Sequence, residues 1–380
     1  MTPLDGIRVL DFTSLLPGPL ATLVLAEAGA EVTKIERPGM GDEMRTYVPK
    51  FGADAVNFAL LNRGKRSVRL DLKDPGSIAP IRALIQDADV LIEQFRPGVM
   101  ERLGLGPDAV HAINPQIVYC SISGYGQHGP LADRAGHDLN YVAELGLLGL
   151  SRGAGGEPVL PPALVADIGG GSYPAVINIL LALIERERTG RGARLDVSMT
   201  DNVLTFLYWA MGNGLAAGEW PEPGAELLTG GSPRYNIYRA ADGAWIAAAP
   251  LEDRFWTAFC DLIDLPADLR EDGRDPAATI AAVAERLASR TSAEWSEAFA
   301  RLDVCCSVVR DVQGALDDPH HAARRLFSRA VEDGAGATIP ALPVPVDPTL
   351  RRDDATLGYP RLGGDNGLLE GAPTGGRVAR

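Results

Sequence analysis

Apolar residues over the first 130 positions fall into short runs separated by amphipathic stretches, and the two alternate with the lengths of strands and helices. "IRVLDF" (residues 7–12) is a β-like run. "PGP" follows, and "LATLVLAEAGA" predicts a helix closed near Gly29. "EVTKIE" (residues 31–36) predicts the next strand and completes a βαβ unit, the signature of a parallel sheet. "RSVRLDL", "DVLIEQF" and "QIVYCSISG" predict further strands, with a helix over "GSIAPIRALIQDA". The turn after the first strand reads "LLPGPL" rather than G-x-G-x-x-G, so the pattern carries no dinucleotide fingerprint.

The pattern changes in the second half. A long apolar helix follows "DIGGG", and "SMTDNVLTFLYWAMGNGLAAG" (residues 198–218) predicts another. "EWPEPGAELLTGGSPRYN", rich in Gly and Pro, reads as a linker crossing between domains. "IYRAADGAWIAAAP" predicts a hairpin turning at Asp242 and Gly243. "TIAAVAERLASRTSAEWSEAFARL" predicts a helical pair, with Thr291 or Ser292 capping the second helix. "ALPVPVDPTLRRDD" predicts an extended strap on the surface of the large domain. The expected layout is a first part of the large domain at 1–200, a linker at 201–226, a smaller domain at 227–312 and a return strap at 313–380.

Composition narrows the function. The net charge of -14 argues against nucleic acid as a partner, because bulk phosphate binding needs a basic field. "MTPLDGIRVLDF" lacks a basic segment followed by an apolar stretch, and "PAVINILLALI" is about half the length needed to cross a bilayer. A cytoplasmic protein without a membrane span is expected. Cys120, Cys260, Cys305 and Cys306 show no C-x-x-C or Cys/His ligand spacing, and the adjacent His320 and His321 lack a nearby third ligand. Reduced thiols and no metal are expected.

The candidate chemistry is concentrated in a few residues. Asp167 ends an apolar run and leads through three glycines into a helix. One reading is a helix N-terminus, where a carboxylate meets backbone N–H groups and the positive dipole end. The other is catalytic: a carboxylate beside N–H groups of Gly169 and Gly170 that bind an oxyanion. His137, one of five histidines, precedes Asp138 and is either a loop or capping residue or a base. Asp138 is a candidate cap for "LNYVAELGLLGL". Glu252 follows a run of small apolar residues, while Phe255 and Trp256 beside it read as core. Arg37 stands at a strand's C-terminal end, where open α/β sheets bind ligands. Arg63, Lys65 and Arg66 cluster in "NRGKRS", and Arg96 and Arg102 in "FRPGVMERLGLG". Cations at the ends of successive strands suggest a phosphate-rich ligand.

Taken in order, "PLDGIRVLDFTSLLPGPLATLVLAEAGAEVTKIERPG", "NRGKRSVRLDLK", "FRPGVMERLGLG", "SGYGQHGP", "AGHDLNY", "ADIGGG" and "TGGSPRYNIYRAADG" resemble the class III CoA-transferase (CaiB/BaiF) and α-methylacyl-CoA racemase family over nearly the whole chain. "GHDxNY", "GGxPxY" and a strand-end glutamate resemble the racemase branch. Thr229 stands where that branch usually has an aspartate, and Asp253 follows the glutamate in place of a proline. The resemblance implies a large Rossmann-like parallel-sheet domain, a smaller α+β domain, and an interlocked homodimer. It implies an acyl-CoA substrate, with coenzyme A arriving as part of that substrate and no separate cofactor. The implied bases are His137 and Asp167, with Glu252 of a partner chain behind the histidine. Arg37, Leu70, Leu72, Lys73, Arg96 and Arg102 are the implied contacts to coenzyme A, and Arg63, Asp138 and Tyr141 are substrate-side candidates. The alternative within the family is CoA transfer between carboxylic acids with Asp167 as nucleophile.

Overall fold

The computed structural model describes residues 1–153 and 155–370. The chain divides into two compact units. The larger gathers Met1–Leu145, Pro162–Phe206 and the return from His320; the smaller holds Gly146–Pro161 and Leu207–Pro319.

Six strands form the sheet of the larger unit: β1 (Arg8–Phe12), β2 (Glu31–Glu36), β3 (Arg66–Arg69), β4 (Val90–Glu93), β5 (Val118–Ser123) and β6 (Ala193–Ser198). All pair in parallel, in the order β3-β2-β1-β4-β5-β6. This is the Rossmann order, and it reverses direction between β1 and β4. The central strands are apolar on both sides because helices cover both faces; Val90, Leu91 and Ile92 are fully buried. On one side α1 (Pro17–Glu27) is buried along its whole length, its proline start supplying the fixed φ of a first helical turn.

Under the carboxyl ends of β1 and β2 lies a buried ionic network. Lys34 Nζ is 3.0 Å from Asp42 Oδ2, Lys65 Nζ is 3.2 Å from Asp11 Oδ2, and the Arg45 guanidinium is 2.7 Å from Glu36 Oε1. Burial pushes the Lys65 ammonium down to about 8.

The return from residue 320 belongs to the larger unit. Its strand Ala330–Glu332 sits between Thr338–Pro340 and Thr356–Gly358 in a small sheet. Beyond it, the side chains of Asp365 and Asn366 accept the N–H groups of Ser67 (2.9 Å) and Arg69 (2.7 Å) on the outer edge of β3.

The smaller unit has a three-stranded antiparallel sheet of Asn236–Arg239, Trp245–Ala248 and Cys306–Val308. Gly243, at φ +85°, makes the expected hairpin turn. Helices Asp253–Leu262, Pro276–Leu287 and Ser292–Ala300 close a core that holds Trp256, Phe259, Val283 and Trp295. Thr291 caps the last helix and Glu294 returns its bond.

Two expectations differ from this structure, and one of its strands has no counterpart among them. The stretch 198–218 is not one helix: Met199–Val203 and Tyr208–Ala217 are separated by a tighter turn at Leu204–Leu207. The 201–226 linker therefore contains two helical pieces, and the unit boundary falls between Phe206 and Leu207. Ala, Leu and Met there are strong helix formers. Strand β6 is absent from the sequence reading; Arg194 and Asp196 break its apolar run because it is an edge strand.

Candidate active site

Strands β1, β4 and β5 deliver their C-terminal ends to the point where the sheet order reverses, the place where open α/β sheets bind ligands. Two clefts lie there. The first, about 540 Å³, is walled by Leu15 and Pro17 after β1, residues 94–97 after β4 and residues 122–124 at the end of β5; residues 134–137, Asn140, Tyr141, Asp167 and Met199 also line it. The second, about 360 Å³, is lined by Thr13, Ser14, Arg37, Leu70, Leu72 and Lys73 among others. Phe95 borders both.

Asp167 lies in a wide helical turn of π type, Ala166–Ser172, that runs into the helix Tyr173–Thr189. Such turns leave the regular i→i−4 ladder and are frequent at functional sites. Its first donors are met by the start of the helix Asp138–Glu144: Asp138 Oδ2 accepts the N–H of Ala166 at 2.6 Å and of Asp167 at 2.9 Å. Burial, and then the Asp138 carboxylate, push the Asp167 carboxyl up to about 6, while His137 pulls it the other way. The carboxyl therefore exchanges its proton close to neutrality, where an acid–base group is most useful.

His137 is the residue before the helix Asp138–Glu144. Asn140 Oδ1 accepts its backbone N–H at 3.0 Å. The Tyr141 hydroxyl donates to the Gly136 carbonyl at 2.6 Å, and the Tyr125 ring meets Tyr141 edge-on at 5.2 Å. The histidine backbone is thus fixed from both sides while its side chain stays exposed at the cleft.

Arg37, Leu70, Leu72 and Lys73 come together in the second cleft, as expected of one ligand's contacts. Four carboxylates share this cleft: Glu36 is paired with Arg45 and Asp42 with Lys34, while Glu43 and Asp71 are exposed. Arg96 lines the first cleft, beside His137 and Asp167, rather than the second. Arg102 lines neither. Glu252 is exposed in the smaller unit, just ahead of the helix Asp253–Leu262. Trp256 is core, as expected, and its indole N–H donates to the Arg270 carbonyl at 2.9 Å.

Several expected site residues have other work. Arg63 is 2% exposed, its three nitrogens donate to Glu27 and to the carbonyls of Leu60 and Leu342, and it lines neither cleft. Lys65 and Arg66 pair with Asp11 and Glu31. The cluster in "NRGKRS" is therefore structural. Asp138 neither caps its own helix nor faces a substrate; it is buried and holds the Asp167 turn. Gly169 and Gly170 line neither cleft. Inside a helical turn their N–H groups point back along its axis. A Cβ on Gly170 would stand 2.4 Å from the Met199 carbonyl oxygen, and one on Gly169 would stand 2.7 Å from the Phe206 ring. These glycines permit close packing of the turn.

No group of three or more His, Cys, Asp or Glu suited to a metal ion occurs among the described residues. The cysteines are free thiols, with Cys120 and Cys260 buried. One helical stretch among the described residues, Ala166–Thr189, is long and apolar enough to cross a membrane by length and composition alone.

Residues 4–366 match the family described as CoA-transferase family III. The chain belongs to that family. It is an enzyme of the family, and its relatives divide between two chemistries. It is 36% identical to the α-methylacyl-CoA racemase of Mus musculus over 331 residues, covering 85% of this chain and 82% of the relative. It is equally 36% identical to the acetyl-CoA:oxalate CoA-transferase of Acetobacter aceti over 358 residues, covering 90% and 89%. Among solved structures, a CaiB/BaiF family protein from Brucella suis superposes with a TM-score of 0.80 at 30% identity, covering 97% of this chain and 98% of that one.

Proposed function

We propose that this family III enzyme racemises 2-methylacyl-CoA thioesters by moving the α-proton between His137 and Asp167. The observation that carries the reading is the pairing of a histidine and a carboxyl raised to about 6 in one cleft at the switch point of the sheet. Racemisation removes a proton from one face of a carbon and returns one to the other, and two acid–base groups suffice. In one direction the neutral imidazole takes the α-proton and the Asp167 carboxylic acid supplies one. In the other, the Asp167 carboxylate takes it and the imidazolium supplies one. The intermediate is the enolate of the thioester. The only coenzyme in this scheme is the coenzyme A of the substrate itself.

In this reading the nucleotide end of coenzyme A lies against Arg37, Leu70, Leu72 and Lys73, and the chain passes Phe95 into the cleft of His137. Arg96 then meets the ligand nearer the thioester than the nucleotide. Glu252 of a second copy would orient the imidazole and stabilise its cation, as a carboxylate does in a hydrolytic triad. A homodimer is also supported by an apolar stripe on the helix Tyr173–Thr189, where Ile177, Leu181 and Ile184 are more than half exposed. A solution mass equal to one chain would remove the dimer.

The second reading is CoA transfer with Asp167 as nucleophile, favoured by the equal identity to the oxalate enzyme. One experiment separates them. (R)- or (S)-2-methylacyl-CoA is incubated in heavy water without a second acid. Deuterium at C2 with loss of optical purity is expected, and His137→Ala or Asp167→Ala should slow it at least about a hundredfold. CoA movement to an added acid without deuterium uptake would establish the transferase instead.

A further inference from the structure

The two clefts share a wall, the turn at residues 14–17 between β1 and α1. Ser14 lines the cleft of Arg37, while Leu15 and Pro17 line the cleft of His137 and Asp167. Leu15 is left-handed, at φ +61°. For a residue with a Cβ this conformation is strained and persists only where the surroundings impose it. They do so here. Asp42 Oδ1 accepts the Leu15 N–H at 3.1 Å, and Lys34 Nζ donates to the Thr13 carbonyl at 2.7 Å. The Ser172 hydroxyl, at the end of the Asp167 turn, donates to the Pro17 carbonyl at 2.8 Å.

One further clamp comes from across the switch point. Gln94, just after β4, donates from Nε2 to the Ser14 carbonyl at 2.6 Å and accepts the Gly18 N–H on Oε1 at 3.0 Å. It thus spans the turn with one amide and itself lines the His137 cleft. Only a side chain that donates and accepts at once, at this length, satisfies both partners.

We propose that Gln94 is a positioning residue: by spanning the turn at residues 14–17 it sets the wall over which the thioester passes from one cleft to the other, and so places the reacting carbon against His137 and Asp167. This rests on the reading of the two clefts as one acyl-CoA site, and it holds for proton transfer and for acyl transfer at Asp167 alike. Gln94→Glu keeps size and acceptor but puts a carboxylate oxygen against the Ser14 carbonyl. Gln94→Met keeps size and removes both bonds. A misplacement of about 1 Å is worth up to roughly a hundredfold in rate.

The test measures kcat and KM of each variant with an acyl-CoA substrate, and the affinity of free coenzyme A by calorimetry. In both variants kcat should fall at least about tenfold, while coenzyme A affinity changes less than about threefold. The thermal melt identifies either variant that fails to fold, and the other then decides. Unchanged kcat overturns the proposal. So does loss of coenzyme A affinity in proportion to kcat, which would make Gln94 a general prop of the site. If the wild-type enzyme exchanges no α-proton, the racemase reading fails on its own. The same split between kcat and affinity is then read in CoA transfer between acids.

Discussion

Asp167 and Asp138 are two carboxyls a short reach apart with opposite assignments. Asp138 spends its charge on two backbone N–H groups, while the raised Asp167 is left to exchange a proton. Asp138→Asn keeps an acceptor for both N–H groups and removes the charge that helps raise Asp167. The Asp167 carboxyl should then drop below about 6. In the direction where Asp167 is the base, the acid limb of the pH–rate profile should move to lower pH; a limb that stays in place would show that Asp138 exerts no electrostatic hold. Glu93, at the end of β4, is a second raised carboxyl, pushed by burial up to about 7 from an ordinary 4.5. Its Oε2 accepts the N–H of Phe95, the residue shared by both clefts, at 2.8 Å. The carboxylates of Glu101 and Asp196 raise it further, and Ser121 opposes them. The folded chain keeps a proton here that the unfolded chain releases above about 4.5. This residue's contribution therefore declines as pH rises from about 4.5 to 7 and is level beyond. Glu93→Gln should stabilise the protein at pH 8 by up to about 3 kcal/mol and by little at pH 4.5. Denaturant melts at the two pH values check this, and equal shifts at both would refute it.

Among the elements, the π-type turn Ala166–Ser172 carries most of the site's demands. Gly170→Ala would set a methyl 2.4 Å from the Met199 carbonyl and 2.9 Å from Val203 Cγ2, and neither can withdraw cheaply. A loss of about 2 kcal/mol or more is expected, together with a drop in turnover because the same turn aims Asp167. An unchanged melt would mean the segment after β6 yields. This turn also marks where the sequence stops being informative. Strands such as Glu31–Glu36 were legible because their apolar runs end where the chain turns, and the helix Ser292–Ala300 because Thr291 and Glu294 announce its start. His137, Asp167 and Arg37 stand next to element ends, and each lines a cleft. What "ADIGGG" did not disclose was which way its glycines face: a glycine that frees an N–H for a ligand reads the same as one that admits a neighbour's backbone. Arg63 was misread for a similar reason, since its partners lie 36 and 279 residues away in the chain. Gln94 and Asp42 gave no local signal at all, because their work is to join loops that only the sheet order brings together.

At the scale of the whole molecule, the proposed substrate asks an acidic chain to bind a polyanion with few cations. The structure spends several of its carboxylates on internal partners. Glu27 binds Arg63 and Arg329 away from the clefts, while Glu36 binds Arg45 and Asp42 binds Lys34 in the wall of the second. Arg37, Lys73 and Arg96 are left at the surface. The far edge of the same sheet follows another rule. A seventh strand laid beside β3 would need the N–H groups of Ser67 and Arg69, two residues apart as in any ladder, and Asp365 and Asn366 already hold them. Side chains can satisfy an edge without presenting a new one, so the pairing halts. A chain stopped at Pro360 would bare those two donors on a strand supported from within by the intact sheet. Such a chain should keep its circular dichroism and yet grow by edge-to-edge polymerisation, visible as rising light scattering with time and concentration. The turn that carries Asp365 and Asn366 is thus a guard against fibre formation, placed at the opposite end of the sheet order from β6.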